Sequence, residues 1–267
     1  MTIFFDGIAY GMLLFVLSVG LAVTLGLMNF INLAHGAFAM AGGYITVLLM
    51  NRLGVDTILV CSNVGTATID DDALAAEQLK VLAGVAADHG VRIAYEALAW
   101  GRFVSTYDHS WRVVEAADHP ALGICLDSFH ILSRGSDLAT IDEIPAEKLF
   151  FVQLADAPAM NLDVLSWSRH HRLFPGEGDW DLAAFVARVL EAGYRGPLSL
   201  EVFNDVFRQG EPSVTARDAR RSLLVLENEV RRLIVAADVD LLDVPAAEPP
   251  HGFGFVELQP GEGDAVP

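Results

Sequence analysis

The stretch Gly123–His130, GICLDSFH, decides the fold of this 267-residue chain. It begins as a short apolar run and ends in Asp127, with His130 three residues later. Enzymes built on parallel barrels present their functional side chains at the carboxyl ends of the strands. The stretch therefore predicts a buried strand that delivers an acid and a histidine to an active face.

Three other stretches have the same form, in which an apolar run carries one oxygen-bearing side chain near its end. They are RIAYEALAW with Glu96, LFFVQLAD with Gln153 and PLSLEVFND with Glu201. Carboxylate and amide oxygens are hard ligands that suit Mg²⁺, Mn²⁺ or Co²⁺. The four runs together predict that Glu96, Asp127, Gln153 and Glu201 bind one divalent metal.

Each of these residues also has a simpler interpretation. A single carboxylate at a strand end often caps a helix or forms a surface ion pair. Gln153 is harder to explain in this way, because an unpaired buried amide costs roughly 2–7 kcal/mol. The recurrence of the pattern on four strands favours the metal site over coincidence.

The rest of the region alternates strands with helices, which is typical of parallel βα units. Helices are predicted over residues 73–89, 107–118 and 213–236, with another after residue 181 that stops at Gly193. Six strands are predicted from residue 57 onward, including a brief one at HRLF, residues 171–174. A complete (β/α)8 barrel takes about 250 residues. We therefore predict an α/β fold, a (β/α)8 TIM barrel that lacks its first two βα units.

The composition excludes one class of function. The net charge is −18, from 35 acidic and 17 basic residues. Nucleic-acid binding needs a basic surface, so we expect no nucleic-acid partner. Cys61 and Cys125 both fall in predicted strands, where we expect them to be small buried side chains rather than a disulfide framework.

Residues 1–55 have a different character. No Asp, Glu, Lys or Arg occurs between Gly7 and Asn51, and Ile8–Met28 is long enough to span a bilayer. The segment GMLLFVLSVGLAVTLGLMNFINLAHGAFAMAGGY resembles the amino-terminal end of LivH-type permeases of branched-chain amino acid ABC transporters. One or two transmembrane helices are thus expected, with membrane contact through residues 8–50. They would tether a cytoplasmic barrel to the inner membrane.

The segments YEALAWGRFVSTY, LDSFHILS, FFVQLADAP, SRHHRLFPGEGDWD and GPLSLEVFND closely resemble bacterial 3-dehydroshikimate dehydratases. This resemblance, which covers about residues 57–230, implies a xylose-isomerase-like TIM barrel of the sugar phosphate isomerase/epimerase type over residues 56–236. It also implies a divalent metal held by Glu96, Asp127, Gln153 and Glu201. Residues 237–267 are expected to be a disordered linker that leads to a truncated dioxygenase-like domain, because GFGFVEL resembles the start of one. Two resemblances that meet near residue 55 predict a chimeric reading frame.

The resemblance also implies the chemistry. The small-molecule substrate would be 3-dehydroshikimate, and its dehydration would give protocatechuate. His130 and Glu96 are the expected catalytic residues, although a histidine beside an apolar strand can equally have a packing role. The predicted substrate-binding residues are Arg102, Ser168 and Arg172, since an arginine can bind a carboxylate through two hydrogen bonds.

Two alternative functions stay open on the sequence. The first is a sugar phosphate isomerase or epimerase on the same barrel, although such enzymes generally have a histidine where Gln153 stands. The second is a fragment of an ABC transporter permease, which rests on residues 1–55 alone.

Overall fold

A computed structural model describes residues 56–236, together with Arg52 and Gly54. The predicted membrane-spanning helices and the predicted tail over residues 237–267 lie outside the described residues. Within the described range, no helix is both long and apolar enough to cross a bilayer.

Strands and helices alternate along the described chain. The strands are β1 (Thr57–Cys61), β2 (Arg92–Glu96), β3 (Leu122–Asp127), β4 (Leu149–Leu154) and β5 (Leu198–Leu200). The α-helices are α1 (Asp72–Asp88), α2 (Tyr107–Ala117), α3 (Ser128–Ser133), α4 (Val164–His170), α5 (Leu182–Glu191), α6 (Asp205–Gln209) and α7 (Pro212–Ala236). Two 3₁₀ helices, Leu138–Glu143 and Ala146–Lys148, precede β4. The predicted alternation and the predicted long closing helix are confirmed.

The strands form one sheet in the order β1-β2-β3-β4-β5, and the pairs from β2 to β5 are parallel. All six residues of β3 are buried, as expected for the centre of a parallel sheet that is covered on both faces. Because strand order follows chain order and the strands are parallel, their carboxyl ends lie along one edge of the sheet.

The predicted count of six strands is wrong for the described residues, which contain five. The HRLF segment makes only two isolated antiparallel bridges, Asp156 with Leu173 and His171 with Asn204. It therefore crosses the ends of neighbouring elements instead of joining the sheet. The predicted final strand, residues 197–203, is also shorter, since β5 ends at Leu200.

Aspartates begin several helices. Asp71 accepts hydrogen bonds from the amides of Ala73 and Leu74 at the start of α1, and Asp181 accepts one from Ala184 in α5. The region after α5 turns at Gly193, whose φ of 97° favours glycine, as predicted for that stop.

The described part of the chain divides into two compact units, one that includes residues 56–58 and 85–92 and one that includes residues 59–84 and 93–236. In the first, the amide of Arg92 donates to the carbonyl of Asp56 at 2.7 Å, and the two side chains pair at 3.3 Å. In the second, Phe129, Ala155 and Ala157 form a buried cluster against which the side chains of Val164, Trp167, Trp180 and Val202 pack. All of the predicted site residues belong to this second unit.

Candidate metal centre

The four predicted metal ligands lie at the carboxyl ends of adjacent strands. Glu96 ends β2, Asp127 ends β3 and Gln153 is the next-to-last residue of β4, directly opposite Asp127 in the strand register. Glu201 follows β5 by one residue, and its amide donates to the carbonyl of Leu154 at 3.0 Å. The structure thus brings the four residues to one edge of the sheet.

Asp127 has two different partners for its two carboxylate oxygens. Oδ1 accepts a hydrogen bond from the amide of Phe129 at 2.6 Å and so caps α3. Oδ2 lies 2.8 Å from Nη1 of Arg172. The cap fixes the carboxylate at the strand end and turns its second oxygen towards the interior of the site.

Arg172 is the charged partner of this cluster. Its side chain is 1% exposed, and Nη1 donates to Oδ2 of Asp127, to Oε2 of Glu201 at 2.9 Å and to the carbonyl of Glu201 at 3.1 Å. Nε and Nη2 donate to Oγ of Ser168 at 3.2 and 2.9 Å. The guanidinium also stacks over the ring of Phe129, 4.5 Å from its centre. The predicted pair Ser168 and Arg172 therefore lies in the site, bonded to two predicted metal ligands.

Glu96 is buried, and its two carboxylate oxygens differ in their hydrogen bonding. Its Oε2 accepts a hydrogen bond from Sγ of Cys61 at 3.2 Å, whereas its Oε1 has no hydrogen-bond partner among the described residues. Burial, with the charges of Asp127 and Glu201, raises the pKa of Glu96 to about 8. A buried oxygen without a donor, in a region of excess negative charge, fits a bound cation.

The other two carboxylates respond differently to burial. Burial and the charge of Asp127 raise the pKa of Glu201 to about 7. Burial alone would raise the pKa of Asp127 as well, but the charge of Arg172 outweighs it and holds that pKa below its usual range. Asp127 is therefore the carboxylate that stays ionised across the neutral range.

His130 lies against the same carboxylates. Its Nδ1 accepts a hydrogen bond from the amide of Ala99 at 3.2 Å, and its Nε2 lies 3.6 Å from Oδ2 of Asp127 and 3.9 Å from Oε1 of Glu96. Burial lowers the pKa of His130 to about 4, so the ring is neutral at pH 7. Its Nε2 also lies 3.4 Å from Nη2 of Arg172, which can only donate.

These distances offer a second ligand set. One ligand atom each from Glu96, Asp127 and His130 lies within 4.8 Å of the others, and all three residues are buried. A buried group of this kind could hold a metal ion. The set shares Glu96 and Asp127 with the predicted one and replaces Gln153 and Glu201 by His130.

Arg102 is not part of this cluster. Its side chain is exposed, its Nη1 donates to the carbonyl of Gly65 at 3.1 Å, and its guanidinium lies 5.4 Å from the ring centre of Phe103. Its predicted contact with substrate stays a prediction.

Sequence reasoning overlooked Asp156, which ends the same LFFVQLAD run as Gln153. Its side chain is fully buried and accepts hydrogen bonds from four backbone amides. These belong to Ala157, Gly176, Gly178 and Trp180, at 2.8, 3.0, 3.0 and 3.3 Å. The signal was present, since this run carries two oxygen-bearing residues. The pattern alone did not show that the second of them fixes a loop.

Comparison with known proteins gives a consistent match. The family described as xylose isomerase-like TIM barrel matches residues 20–227, a range that begins within the permease-like segment. The chain is 49% identical over 215 residues to a 3-dehydroshikimate dehydratase of Pseudomonas putida and 50% identical over 216 residues to one of Pseudomonas aeruginosa. In both cases the match covers 79% of this chain and 34% of the relative, so the chain spans about a third of the length of these proteins.

A solved structure extends the comparison to the fold. The chain superposes on a protein described as a xylose isomerase-like TIM barrel/4-hydroxyphenylpyruvate dioxygenase fusion, with a TM-score of 0.72 and 48% identity. The superposition covers 79% of this chain and 34% of that one.

Proposed function

The chain belongs to the xylose isomerase-like TIM barrel family, and we propose that its metal centre dehydrates 3-dehydroshikimate to protocatechuate. The observation that carries the proposal is the position of Glu96, Asp127, Gln153 and Glu201 at the carboxyl ends of adjacent strands, with an unpaired oxygen on Glu96. The two relatives named 3-dehydroshikimate dehydratase, at 49% and 50% identity, support the substrate.

Glu96, Asp127, Gln153 and Glu201 would hold the metal, as Mg²⁺, Mn²⁺ or Co²⁺. All four offer oxygen, and three of them are carboxylates, which suits a hard divalent cation. A bound divalent cation would act as a Lewis acid that offsets negative charge developing on the substrate's carbonyl side.

The reaction removes one proton from carbon and one hydroxyl group, which leave together as water. We assign Glu96 to take the carbon proton, because its buried Oε1 has no hydrogen-bond partner among the described residues and can accept a proton. An ionised carboxylate offers about four lone-pair sites on its two oxygens, so a contact with the cation leaves a site for the proton. We assign His130 to the leaving hydroxyl, since its ring nitrogen Nε2 faces the carboxylates of Asp127 and Glu96.

Arg172, with Ser168 behind it, is the proposed contact for the substrate carboxylate. Ser168 is fully buried and bonds Nε and Nη2 of Arg172, which fixes the plane of the guanidinium. A guanidinium held in this way can bind a carboxylate without losing much side-chain entropy. Arg102 is the second proposed contact, and it would reach substrate only by leaving the carbonyl of Gly65.

The domain organisation is part of the proposal. Residues 56–236 would form the partial barrel, and residues 237–267 would be a linker towards a dioxygenase-like domain. The similar fusion protein, in which a barrel of this family is joined to a 4-hydroxyphenylpyruvate dioxygenase, supports this arrangement.

The test is a direct assay of the purified chain with 3-dehydroshikimate and Mn²⁺ or Mg²⁺. Aromatisation should produce new near-ultraviolet absorbance that requires the metal and disappears with a chelator. Asp127→Ala should abolish it, because Asp127 is a proposed ligand. A folded, metal-loaded sample that gives no absorbance would rule out the dehydratase assignment.

The alternative on the same barrel is a sugar phosphate isomerase or epimerase. Proton NMR separates the two, since an epimerase gives no aromatic signals from any substrate. Turnover of a ketose phosphate, without turnover of 3-dehydroshikimate, would favour the alternative.

A further inference from the structure

Both cysteines of the chain donate to predicted metal ligands. Sγ of Cys61 lies 3.2 Å from Oε2 of Glu96, and Sγ of Cys125 lies 3.3 Å from Oε1 of Gln153. Cys125 is buried as predicted, but Cys61 is exposed, contrary to the prediction. Because Cys61 is exposed, core packing does not explain why a cysteine stands at this position.

The Cys61 thiol determines how Glu96 presents its carboxylate. Cys61 ends β1 and Glu96 ends the neighbouring strand β2, so both side chains lie at the carboxyl edge of the sheet. With Oε2 bonded to the thiol, Oε1 is the oxygen that lies 3.9 Å from Nε2 of His130 and lacks a donor. A carboxylate without this bond could rotate and turn either oxygen away from the cluster.

We propose that Cys61 is a positioning residue of the metal centre, which holds Glu96 so that Oε1 faces the cation. The inference rests on the proposed metal site. The bond from Cys125 on β3 to Gln153 on β4 repeats this arrangement on the next pair of strands. An amide oxygen has two lone pairs, so the thiol can occupy one of them while the other faces the ion.

Calorimetric titration of the metal-free chain with Mn²⁺ tests the role without reference to activity. Loss of a group that orients a metal ligand typically weakens metal affinity by about 10–100-fold, and a thiol is a weak donor. We expect Cys61→Ala to raise the Mn²⁺ dissociation constant about tenfold. Cys61→Ser should restore most of the affinity, because a hydroxyl also donates. Val60→Ala is the matched control, since alternate side chains of a strand point to opposite faces.

Steady-state kinetics supply a second readout. In Cys61→Ala the Mn²⁺ concentration for half-maximal activity should rise about tenfold, and in Cys61→Ser it should return close to the wild-type value. A variant that merely contained less folded protein would lose kcat at every Mn²⁺ concentration. If Cys61→Ala does not fold, Cys61→Val removes the donor and keeps the volume.

The outcomes distinguish failure of the Cys61 positioning role from failure of the metal centre. Equal Mn²⁺ affinity in wild type and Cys61→Ala, or a serine variant as weak as the alanine variant, overturns the positioning role. A wild-type chain that binds no Mn²⁺ overturns the metal centre itself.

Discussion

Arg172 and the proposed metal both offset the same negative charge. The guanidinium bonds Asp127 and Glu201, while Glu96 keeps one oxygen unpaired. Three carboxylates lie around one arginine, so a divalent cation would balance the negative charge that remains when all three are ionised. Removal of one partner of a buried ion pair is costly because the other charge stays buried.

Arg172→Ala should therefore destabilise the metal-free chain by about 3–5 kcal/mol, measured by urea unfolding. Mn²⁺ should recover part of this loss, because it supplies positive charge to the same carboxylates. The exposed Arg102 provides the control, since Arg102→Ala should change the free energy of unfolding by no more than about 0.5 kcal/mol. If Arg172→Ala lost the same free energy of unfolding with and without Mn²⁺, the claim that Arg172 and the metal offset the same negative charge would be contradicted.

Glu201, with a pKa of about 7, loses its folded-state proton first, and the pH dependence of stability above that value follows from Glu96. Its folded-state pKa of about 8 lies above the ordinary value of 4.5, so the unfolded chain releases this proton first as pH rises. The stability of the metal-free chain should fall as the pH rises from 6.5 to 8. His130 has the opposite effect, but only below its ordinary pKa of 6.5. Glu96→Gln should flatten the profile in unfolding experiments, and stability that increases over this window would disprove the assignment.

At these positions the sequence predicted the type and placement of the site residues but not their pairing. Parallel strands bring their carboxyl ends together, so Glu96, Asp127 and Gln153 could be grouped from the strand pattern alone. The bond between Arg172 and Asp127 joins residues 45 positions apart. It depends on side-chain directions that the spacing of residues does not specify.

The loop after Leu173 is fixed by one side chain, Asp156. Its carboxylate accepts four backbone amides, and its own backbone pairs with Leu173 in both directions, at 2.7 and 3.0 Å. Gly178 has no room for a side chain, since a Cβ there would lie 2.2 Å from Oδ1 of Asp156. Asp156 thus holds the segment that begins directly after Arg172.

Asp156→Asn should destabilise the chain by about 2–3 kcal/mol, because an amide NH₂ cannot accept from the loop. Proteolytic cleavage within residues 174–180 should become faster. Asp179→Asn is the matched control, since Asp179 is exposed and its side chain accepts from the amide of Ala159. Unchanged unfolding and cleavage in Asp156→Asn would show that the loop is held by other contacts.

Helices with clear stops were the most predictable elements. The sequence predicted a stop at Gly193, and α5 ends at Glu191, two residues before that glycine, whose φ of 97° suits glycine. The HRLF segment was wrongly predicted to be a strand of the sheet. Its two isolated bridges come from long-range partners that local sequence does not reveal.

The whole chain carries a net charge of −18, which makes it repel itself in the folded state. Added salt screens this repulsion, so the melting temperature at pH 7 should rise between about 20 and 300 mM NaCl. Thermal unfolding followed by circular dichroism measures it. A melting temperature that falls with salt would indicate that attractive ion pairs outweigh the excess charge.

Of the two resemblances predicted along the whole chain, one is confirmed and the other stays a prediction. The barrel resemblance is confirmed by the family match over residues 20–227 and by the parallel sheet. The permease-like segment, its membrane tether and the chimeric reading frame fall on residues outside the described part of the chain and stay predictions. Composition alone distinguished the two parts, but it does not determine how they are joined.

A crystal structure of the chain grown with Mn²⁺, with anomalous scattering recorded for the metal, tests the central claim most directly. We predict one peak, bound at about 2.0–2.6 Å by side-chain oxygens of Glu96, Asp127, Gln153 and Glu201. A peak bound by Glu96, Asp127 and His130 alone would contradict that ligand set. The absence of any peak at this edge of the sheet would contradict the metal centre.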